Sequence, residues 1–239
     1  MTTALRLFAA LAAGALLVSA CSKSDAGFDA KVHDYILAHP EVIQQAMAKL
    51  QAQQDQQAAA QAKVAIAQNR QSLEHDPRDF VANPNGRVTV TEFYDYRCPH
   101  CINAAPAVLK LIHDQPDVRF VFKEFPIFGD VSEHAAAGAI VLKQQGGDVL
   151  SLYGDLMATH PLDDPAIDRI LRAHGVDPSK LNDPAVHARA EQEILAVRKL
   201  AIDLGIEGTP AFVIGDTIVP GDDTDAVTAA ISQARAHSS

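Results

Sequence analysis

Two cysteines separated by two residues, in the stretch EFYDYRCPHCINAAP at residues 92–106, constrain the fold more than any other feature of this chain. The residues before them alternate in polarity and are rich in β-branched and aromatic side chains, which is typical of a buried strand. The residues after them have the composition of a helix. The cysteine pair is therefore predicted to lie where a strand ends and a helix begins.

The chemistry of Cys98 and Cys101 can be narrowed from the rest of the chain. A structural zinc site needs four ligands, and the chain has no third thiol in the predicted fold and no His-x-x-x-His run. A c-type haem needs histidine directly after the second cysteine, where this chain has Ile102. A structural disulfide across two residues would close a very small loop and stabilise little. A redox-active disulfide, with no further cofactor, is the favoured interpretation.

The position of Cys98 at a predicted helix N-terminus gives that interpretation a mechanism. The helix dipole and the free N–H groups there stabilise a thiolate, and His100 adds a donor or a positive charge nearby. A stabilised thiolate favours the reduced form, so the disulfide becomes a stronger oxidant. Cys101 lies one turn further along, and we expect it to be less exposed and to resolve a mixed disulfide.

The order of elements predicts the fold class. After the cysteine helix come a second strand (DVRFVFKEFPI), a helical block at about residues 131–203, two short strands (GTPAFVIGDTIVPG) and a closing helix. A CxxC pair at the start of the first helix in such an order predicts an α/β, thioredoxin-like fold with a helical insertion. The turn-rich stretch HDPRDFVANPNG marks the predicted start of this domain, which we place at residues 76–239.

Together, VTVTEFYDYRCPHC and GTPAFVIGD resemble the bacterial DsbA family of thiol:disulfide oxidoreductases, from about residue 76 to the C-terminus. The resemblance implies that Pro99 and His100 are the family's dipeptide between the two cysteines. It also implies that Thr209 and Pro210 form a cis-proline loop that faces the cysteines, with Thr209 tuning the nucleophile. Such a loop exposes backbone groups that bind an extended substrate as an added strand.

Two charged residues on the predicted strands have an implied role as well. In the family a buried acid and a lysine lie beneath the second cysteine and pass its proton during turnover. The resemblance assigns these roles to Glu92 and Lys123. An ordinary salt bridge at a strand edge is the alternative that the residues themselves leave open.

The first twenty residues are predicted to be an export signal. Arg6 precedes LFAALAAGALLVSA, an apolar run too short for a stable membrane span. The following LVSAC resembles a bacterial lipobox, so cleavage would leave Cys21 as a lipid-bearing N-terminus; ordinary signal-peptidase cleavage at the same bond is the alternative. Either cleavage predicts an exported protein in an oxidising compartment. We expect a periplasmic location with a lipid anchor through Cys21.

Residues 21–27 read as a tether and residues 28–75 as a helical segment. Apolar side chains recur along one face of this segment, at Phe28, Val32, Tyr35, Ile36, Ile43, Met47 and Leu50. Such a stripe with no core of its own favours packing against copies of the chain; a solvated spacer helix is the alternative. The stretch VHDYILAHPEVIQQAM resembles the N-terminal segment of ScsC-like proteins, some of which assemble through it and act as isomerases.

The net charge of −10 argues against a nucleic-acid partner.

Taken together, the cysteine pair, the family resemblance and the export signal predict an exported oxidoreductase that forms or exchanges disulfide bonds in envelope proteins. Its expected partners are exported proteins that contain cysteines, and a membrane redox protein that is either a DsbB-like oxidant or a DsbD-like reductant. An oligomeric disulfide isomerase or reductase is one alternative. A non-catalytic, chaperone-like binding module is the other.

Overall fold

The computed structural model describes residues 26–237. The predicted signal, residues 1–20, lies outside the described residues, and so does Cys21; the lipid anchor therefore stays a prediction. Among the described residues, no helix is both long enough and apolar enough to cross a membrane. The chain divides into two units between residues 57 and 58.

The N-terminal unit consists of helix α1 (Ala26–Ala38) and the first part of helix α2 (Glu41–Glu74). The helices separate at Pro40, because proline disfavours helical geometry in the residue before it and suits the start of the next helix. The predicted apolar stripe is largely exposed, with Phe28 at 63%, Tyr35 at 57% and Met47 at 66%. This unit by itself therefore leaves an apolar surface open.

The second half of α2 belongs to the C-terminal unit, which therefore starts before the predicted boundary at residues 75 and 76. Ile66 and Leu73 on α2 are 0% and 1% exposed, and they pack in one core with Phe93. The α2 carbonyl of Leu73 also accepts a hydrogen bond from the Thr91 hydroxyl at 3.3 Å. The division within α2 is not visible in the sequence, because Ala and Gln favour helix along its whole length. Only the second half of the helix has a sheet against which to bury its apolar side chains.

The predicted thioredoxin-like α/β fold is confirmed. A mixed five-stranded sheet has the order β1-β3-β2-β4-β5, in which only the β2–β3 pair is parallel. The strands are β1 (Phe80–Ala82), β2 (Val88–Tyr94), β3 (Val118–Glu124), β4 (Ala211–Ile214) and β5 (Thr217–Pro220). Strand β1 was not predicted, because its three residues lie inside a stretch dominated by turn signals.

Helices cover both faces of this sheet. They are α3 (Pro99–Asp114), the insertion helices α4 (Asp130–Gln144), α5 (Val149–Ala158), α6 (Asp164–Ala173) and α7 (Pro184–Leu204), and the closing helix α8 (Thr224–His237). A 3₁₀ helix, Pro178–Asn182, lies between α6 and α7. The predicted insertion at about 131–203 thus corresponds to α4 through α7.

Alternation along the strands assigns each side chain to one face. Val90 and Tyr94 of β2 pack in the core with α3, α5 and α8, whereas Phe93 packs with α2 and α7. Successive side chains of a strand point to opposite faces, so Glu92 lies on the α3 and α5 face. This division decides which of the predicted site residues can meet.

Candidate active site

Cys98 is the N-cap residue of α3, and Pro99 opens the helix. Proline suits this position because its missing N–H would have no helical partner there. The Cys98 side chain is only 2% exposed, and its thiol donates a hydrogen bond to the Thr209 carbonyl at 3.1 Å. The predicted nucleophile therefore lies at a helix N-terminus against the loop that precedes β4.

The pKa of Cys98 is lowered to about 5. The largest cause is a hydrogen bond from the Cys101 thiol, and burial opposes it; the Thr209 side chain and the backbone N–H groups of Cys101 and His100 add smaller contributions. Each of these donors stabilises the thiolate more than the thiol. Cys98 is therefore ionised at neutral pH.

Cys101 has the opposite environment. It is 0% exposed, and its sulfur accepts a hydrogen bond from the Asp95 backbone N–H at 3.5 Å. Burial, with the hydrogen bond that Cys101 donates to Cys98, raises its pKa far above the ordinary thiol value. Cys101 therefore keeps its proton while Cys98 is a thiolate, which separates the attacking sulfur from the resolving one.

The Thr209–Pro210 peptide is cis, and β4 starts at the next residue. The fold brings this loop onto Cys98 from 111 residues away in sequence. The Thr209 hydroxyl is buried and has no hydrogen-bond partner in the described part of the chain. The Thr209 side chain nonetheless helps to lower the pKa of Cys98, with a smaller effect than the Cys101 thiol.

His100 is placed differently from the expectation. Its imidazole is exposed, and Nδ1 lies 3.2 Å from the Asp222 carboxylate, which also approaches the Asn103 amide at 3.5 Å. What His100 contributes to the lowered pKa of Cys98 is its backbone N–H. Residue identity at position 100 should thus matter less for the Cys98 thiolate than the helix start itself.

This arrangement predicts unequal effects for two substitutions. Thr209→Val removes the hydroxyl but keeps the shape, and we expect it to raise the pKa of Cys98 by about one unit. His100→Ala keeps the backbone N–H, so it should change the pKa of Cys98 by less than about half a unit. Thiolate absorbance titrated against pH measures both. A larger shift from His100→Ala than from Thr209→Val would contradict this assignment.

Glu92 is fully buried on β2. One carboxyl oxygen accepts a hydrogen bond from the Tyr153 hydroxyl at 3.2 Å, and the other finds no partner within the described residues. Burial raises the pKa of Glu92 to about 8, although the Tyr153 hydrogen bond opposes the shift. Burial is the main reason that the pKa of Tyr153 is raised, and charges on Glu92 and on Cys101 add to the shift. Among these groups the Tyr153 hydroxyl bonds Glu92 directly.

The raised pKa of Glu92 predicts how stability depends on pH. The folded state holds the proton up to about pH 8, whereas the unfolded state releases it near 4.5. The unfolded state thus binds fewer protons in this window, so stability falls as pH rises from about 4.5 to 8. Glu92→Gln should remove the part of this slope that Glu92 contributes and stabilise the reduced protein on the order of 2 kcal/mol at pH 7. Urea unfolding across this window is the measurement, and an unchanged slope would contradict the prediction.

Lys123 does not join Glu92. In the parallel register Lys123 lies opposite Phe93, and its side chain faces α2. Its ammonium pairs with the Asp79 carboxylate at 2.5 Å and donates to the Ser72 carbonyl at 2.6 Å. The sheet therefore separates Lys123 from Cys101, and the implied Glu92–Lys123 pair does not form.

Asp95 organises the site and was not predicted. Its carboxylate accepts hydrogen bonds from the backbone N–H groups of Arg97, Ile127 and Phe128 and from the Ser132 hydroxyl, at 2.7 to 3.0 Å. It thereby holds the loop after β3 beside the cysteine helix. The sequence signal for this role was an aspartate at the end of an apolar strand, three residues before Cys98.

The fold and the dithiol define a thioredoxin-like redox protein. The family model described as a DSBA-like thioredoxin domain matches residues 89–232, more than half of the chain. The chain belongs to the DsbA-like thioredoxin family, a family of thiol:disulfide oxidoreductases. A second model, the copper resistance protein ScsC N-terminal domain, matches residues 26–57. This second match ends where the structure divides the chain.

Two solved structures are similar over most of the chain. Salmonella enterica Typhimurium BcfH is 29% identical with a TM-score of 0.74, covering 93% of this chain and 99% of that one. A linker-deletion mutant of Proteus mirabilis ScsC is 25% identical with a TM-score of 0.68, covering 92% and 99%. Both similarities extend through the N-terminal helices as well as the thioredoxin-like unit.

Curated relatives match shorter stretches. A Na(+)/H(+) antiporter NhaA 3 of Salinispora tropica is 32% identical over 150 residues, covering 58% of this chain and 22% of the antiporter. The thiol:disulfide interchange protein DsbA of Burkholderia cepacia is 26% identical over 140 residues, covering 56% of this chain and 66% of that protein. The chain thus spans about a fifth of the length of the antiporter it matches.

Proposed function

We propose that this chain is an exported thiol:disulfide oxidoreductase that forms or exchanges disulfide bonds in envelope proteins through Cys98 and Cys101. The observation that carries the proposal is the pairing of a thiolate at a helix N-terminus with a buried, protonated thiol one turn away. A structural cysteine pair would need neither the lowered pKa of Cys98 nor its contact with Thr209.

Oxidation of a substrate dithiol follows from this asymmetry. A substrate thiolate attacks the Cys98 sulfur of the oxidised pair, the Cys98–Cys101 bond breaks, and Cys101 leaves and takes up a proton. The second substrate thiolate then attacks the substrate sulfur of the mixed disulfide, and Cys98 leaves as a stable thiolate. The substrate loses two electrons and the pair gains two. The low pKa of Cys98 drives the last step, because a more acidic thiol is a better leaving group.

The loop at Thr209 and Pro210 is suited to hold the substrate during these steps. The Thr209 carbonyl lies within hydrogen-bond distance of the Cys98 sulfur. A substrate chain bound beside this loop would therefore place its cysteine sulfur next to the Cys98 sulfur. An extended peptide can pair with such a backbone edge as an added strand, which selects little for sequence. The expected substrates are therefore unfolded exported proteins with cysteines.

The direction of the reaction depends on a redox partner in the membrane. A DsbB-like oxidant would return the pair to the disulfide, and a DsbD-like reductant would keep it as thiols for isomerisation. The match to the ScsC N-terminal domain and the exposed Phe28, Tyr35 and Met47 favour assembly of several copies, which suits an isomerase. Export to the periplasm, with a lipid on Cys21, completes the proposal.

The test is the exchange reaction itself. Oxidised protein lacking residues 1–21 is mixed with a reduced, unfolded secreted protein, and thiol loss in the substrate is followed by alkylation and mass spectrometry. We expect one substrate disulfide per oxidised pair. Binding of the substrate without thiol loss would overturn the proposal in favour of a binding module. The redox state of the pair in cells then separates an oxidase, held as disulfide, from an isomerase, held as thiols.

A further inference from the structure

An acidic side chain reaches the cysteine helix from the loop between β5 and α8. The carboxylate of Asp222 in this loop lies 3.2 Å from Nδ1 of His100 and 3.5 Å from the amide nitrogen of Asn103, both near the start of α3. The hydrogen bond from His100 is the largest cause that lowers the pKa of Asp222, so this carboxyl is ionised at neutral pH. A carboxylate can only accept, and Nδ1 of His100 therefore carries the hydrogen of this bond.

The backbone of the loop fixes where Asp222 stands. Gly221, just before it, has a φ of 78°, a left-handed value that glycine adopts without steric cost. The Gly221 N–H donates to the Pro210 carbonyl at 2.8 Å, and the Asp222 carbonyl accepts the Thr224 N–H at 2.9 Å. The Asp222 side chain thus projects from a turn that is bonded to the cis-proline loop on one side and to the start of α8 on the other.

His100 is close enough to Cys98 for its charge to matter. Consecutive Cα atoms are about 3.8 Å apart, so the Cα atoms of these two residues lie within about 7.6 Å of each other, inside the screening length of about 8 Å at physiological ionic strength. A protonated imidazole there would stabilise the Cys98 thiolate, but the Asp222 carboxylate sets a negative charge against the ring. Among the main causes of the lowered pKa of Cys98, His100 contributes only its backbone N–H, as such a cancellation predicts.

We propose that Asp222 is a positioning residue that sets how oxidising the Cys98–Cys101 disulfide is, because it holds the His100 imidazole and cancels its charge. The inference rests on the proposed function of the cysteine pair. The carboxylate removes thiolate stabilisation that the ring would otherwise supply, so the reduced pair is less favoured and the disulfide is a weaker oxidant. Asp222 thereby gives a loop far from the cysteines in sequence control over their chemistry.

The test is a double-mutant cycle of wild type, Asp222→Asn, His100→Ala and the double variant. Asparagine keeps the shape of the side chain and removes its charge. We expect Asp222→Asn to lower the pKa of Cys98 by about half a unit, measured by thiolate absorbance against pH. In the His100→Ala background the same substitution should have no effect, because no imidazole is left to release.

Equilibration with glutathione measures the same coupling as a redox constant. Two glutathione thiols become one glutathione disulfide, and the Cys98–Cys101 bond takes up the two electrons, which leaves a Cys98 thiolate, a Cys101 thiol and one proton in water. At pH 6, above the lowered pKa of Cys98, we expect Asp222→Asn to shift this equilibrium about threefold toward the reduced pair, which is half a pKa unit expressed as a ratio. The double variant should match His100→Ala.

Asp114→Asn is the matched control. Asp114 also lies beside a histidine, at 2.9 Å from Nδ1 of His113, but at the far end of α3, about 24 Å along the helix axis from Cys98. This variant should match wild type in both measurements.

Two results would overturn the inference. One is a wild-type pKa and redox equilibrium in Asp222→Asn. The other is an equal shift by Asp222→Asn in the His100→Ala background, since Asp222 would then act by its own charge or through its loop. The thiolate titration needs no substrate. Failure of the wild type to exchange disulfides would therefore overturn the proposed function alone, and the two failures are distinguishable.

Discussion

Cys98→Ser should abolish disulfide exchange, lowering its rate by at least about a thousandfold. The hydroxyl of serine neither ionises near neutral pH nor forms a disulfide, so the helix N-terminus and the Thr209 hydroxyl have no anion to stabilise. Cys101→Ser should behave differently. Cys98 keeps the helix N-terminus and the Thr209 hydroxyl, and the serine hydroxyl can replace the Cys101 thiol as a hydrogen-bond donor, so Cys98 still attacks a substrate disulfide.

In Cys101→Ser the mixed disulfide with substrate should accumulate, because no second thiol resolves it. Non-reducing electrophoresis and mass spectrometry detect the adduct. Cys21 is the only other cysteine of the chain, so protein lacking residues 1–21 leaves Cys98 as the single site of attachment. An adduct formed by Cys98→Ser, or full turnover by Cys101→Ser, would contradict the assignment of the two roles.

Three truncations should separate assembly from folding. Protein starting at residue 26 retains the exposed stripe of the N-terminal unit, and we expect it to be oligomeric. Protein starting at residue 58 retains Ile66 and Leu73, so it should be a folded monomer that still oxidises dithiols but has lost any isomerase activity. Light scattering measures the oligomeric state, and disulfide-exchange assays measure the oxidase and isomerase activities.

Protein starting at residue 76 should lose most of its stability. Two core side chains are missing, each worth about 2–4 kcal/mol, and Lys123 loses the Ser72 carbonyl that it bonds inside the protein. Leu73→Ala in the protein starting at residue 58 is the matched control, with a loss of about 3 kcal/mol in urea unfolding. A stable, active protein starting at residue 76 would support the boundary that the sequence predicted.

For the assembly prediction, a monomeric protein starting at residue 26 would contradict the expected packing of several copies through the N-terminal unit.

Much of the site was readable in the sequence because its signals are local. A strand followed by CPHC and a helix places Cys98 at a helix N-terminus, and the neighbouring N–H groups that lower its pKa follow from that position alone. The order of strands and helices likewise predicted the thioredoxin-like fold and its insertion, since alternation and helical spacing are properties of short windows. These features depend on residues within a few positions of one another.

Tertiary structure decided which distant groups meet. The contact between Cys98 and the Thr209 carbonyl joins residues 111 positions apart, and only the sheet order brings them together. The parallel register of β2 and β3 turned Lys123 away from Glu92 and put Glu124 on the face of the resolving cysteine, because one residue along a strand changes the face. The α2 helix is likewise divided between the two units by tertiary structure. Its helix propensity is continuous along the sequence, but which of its residues are buried depends on what packs against them, and only the fold determines that.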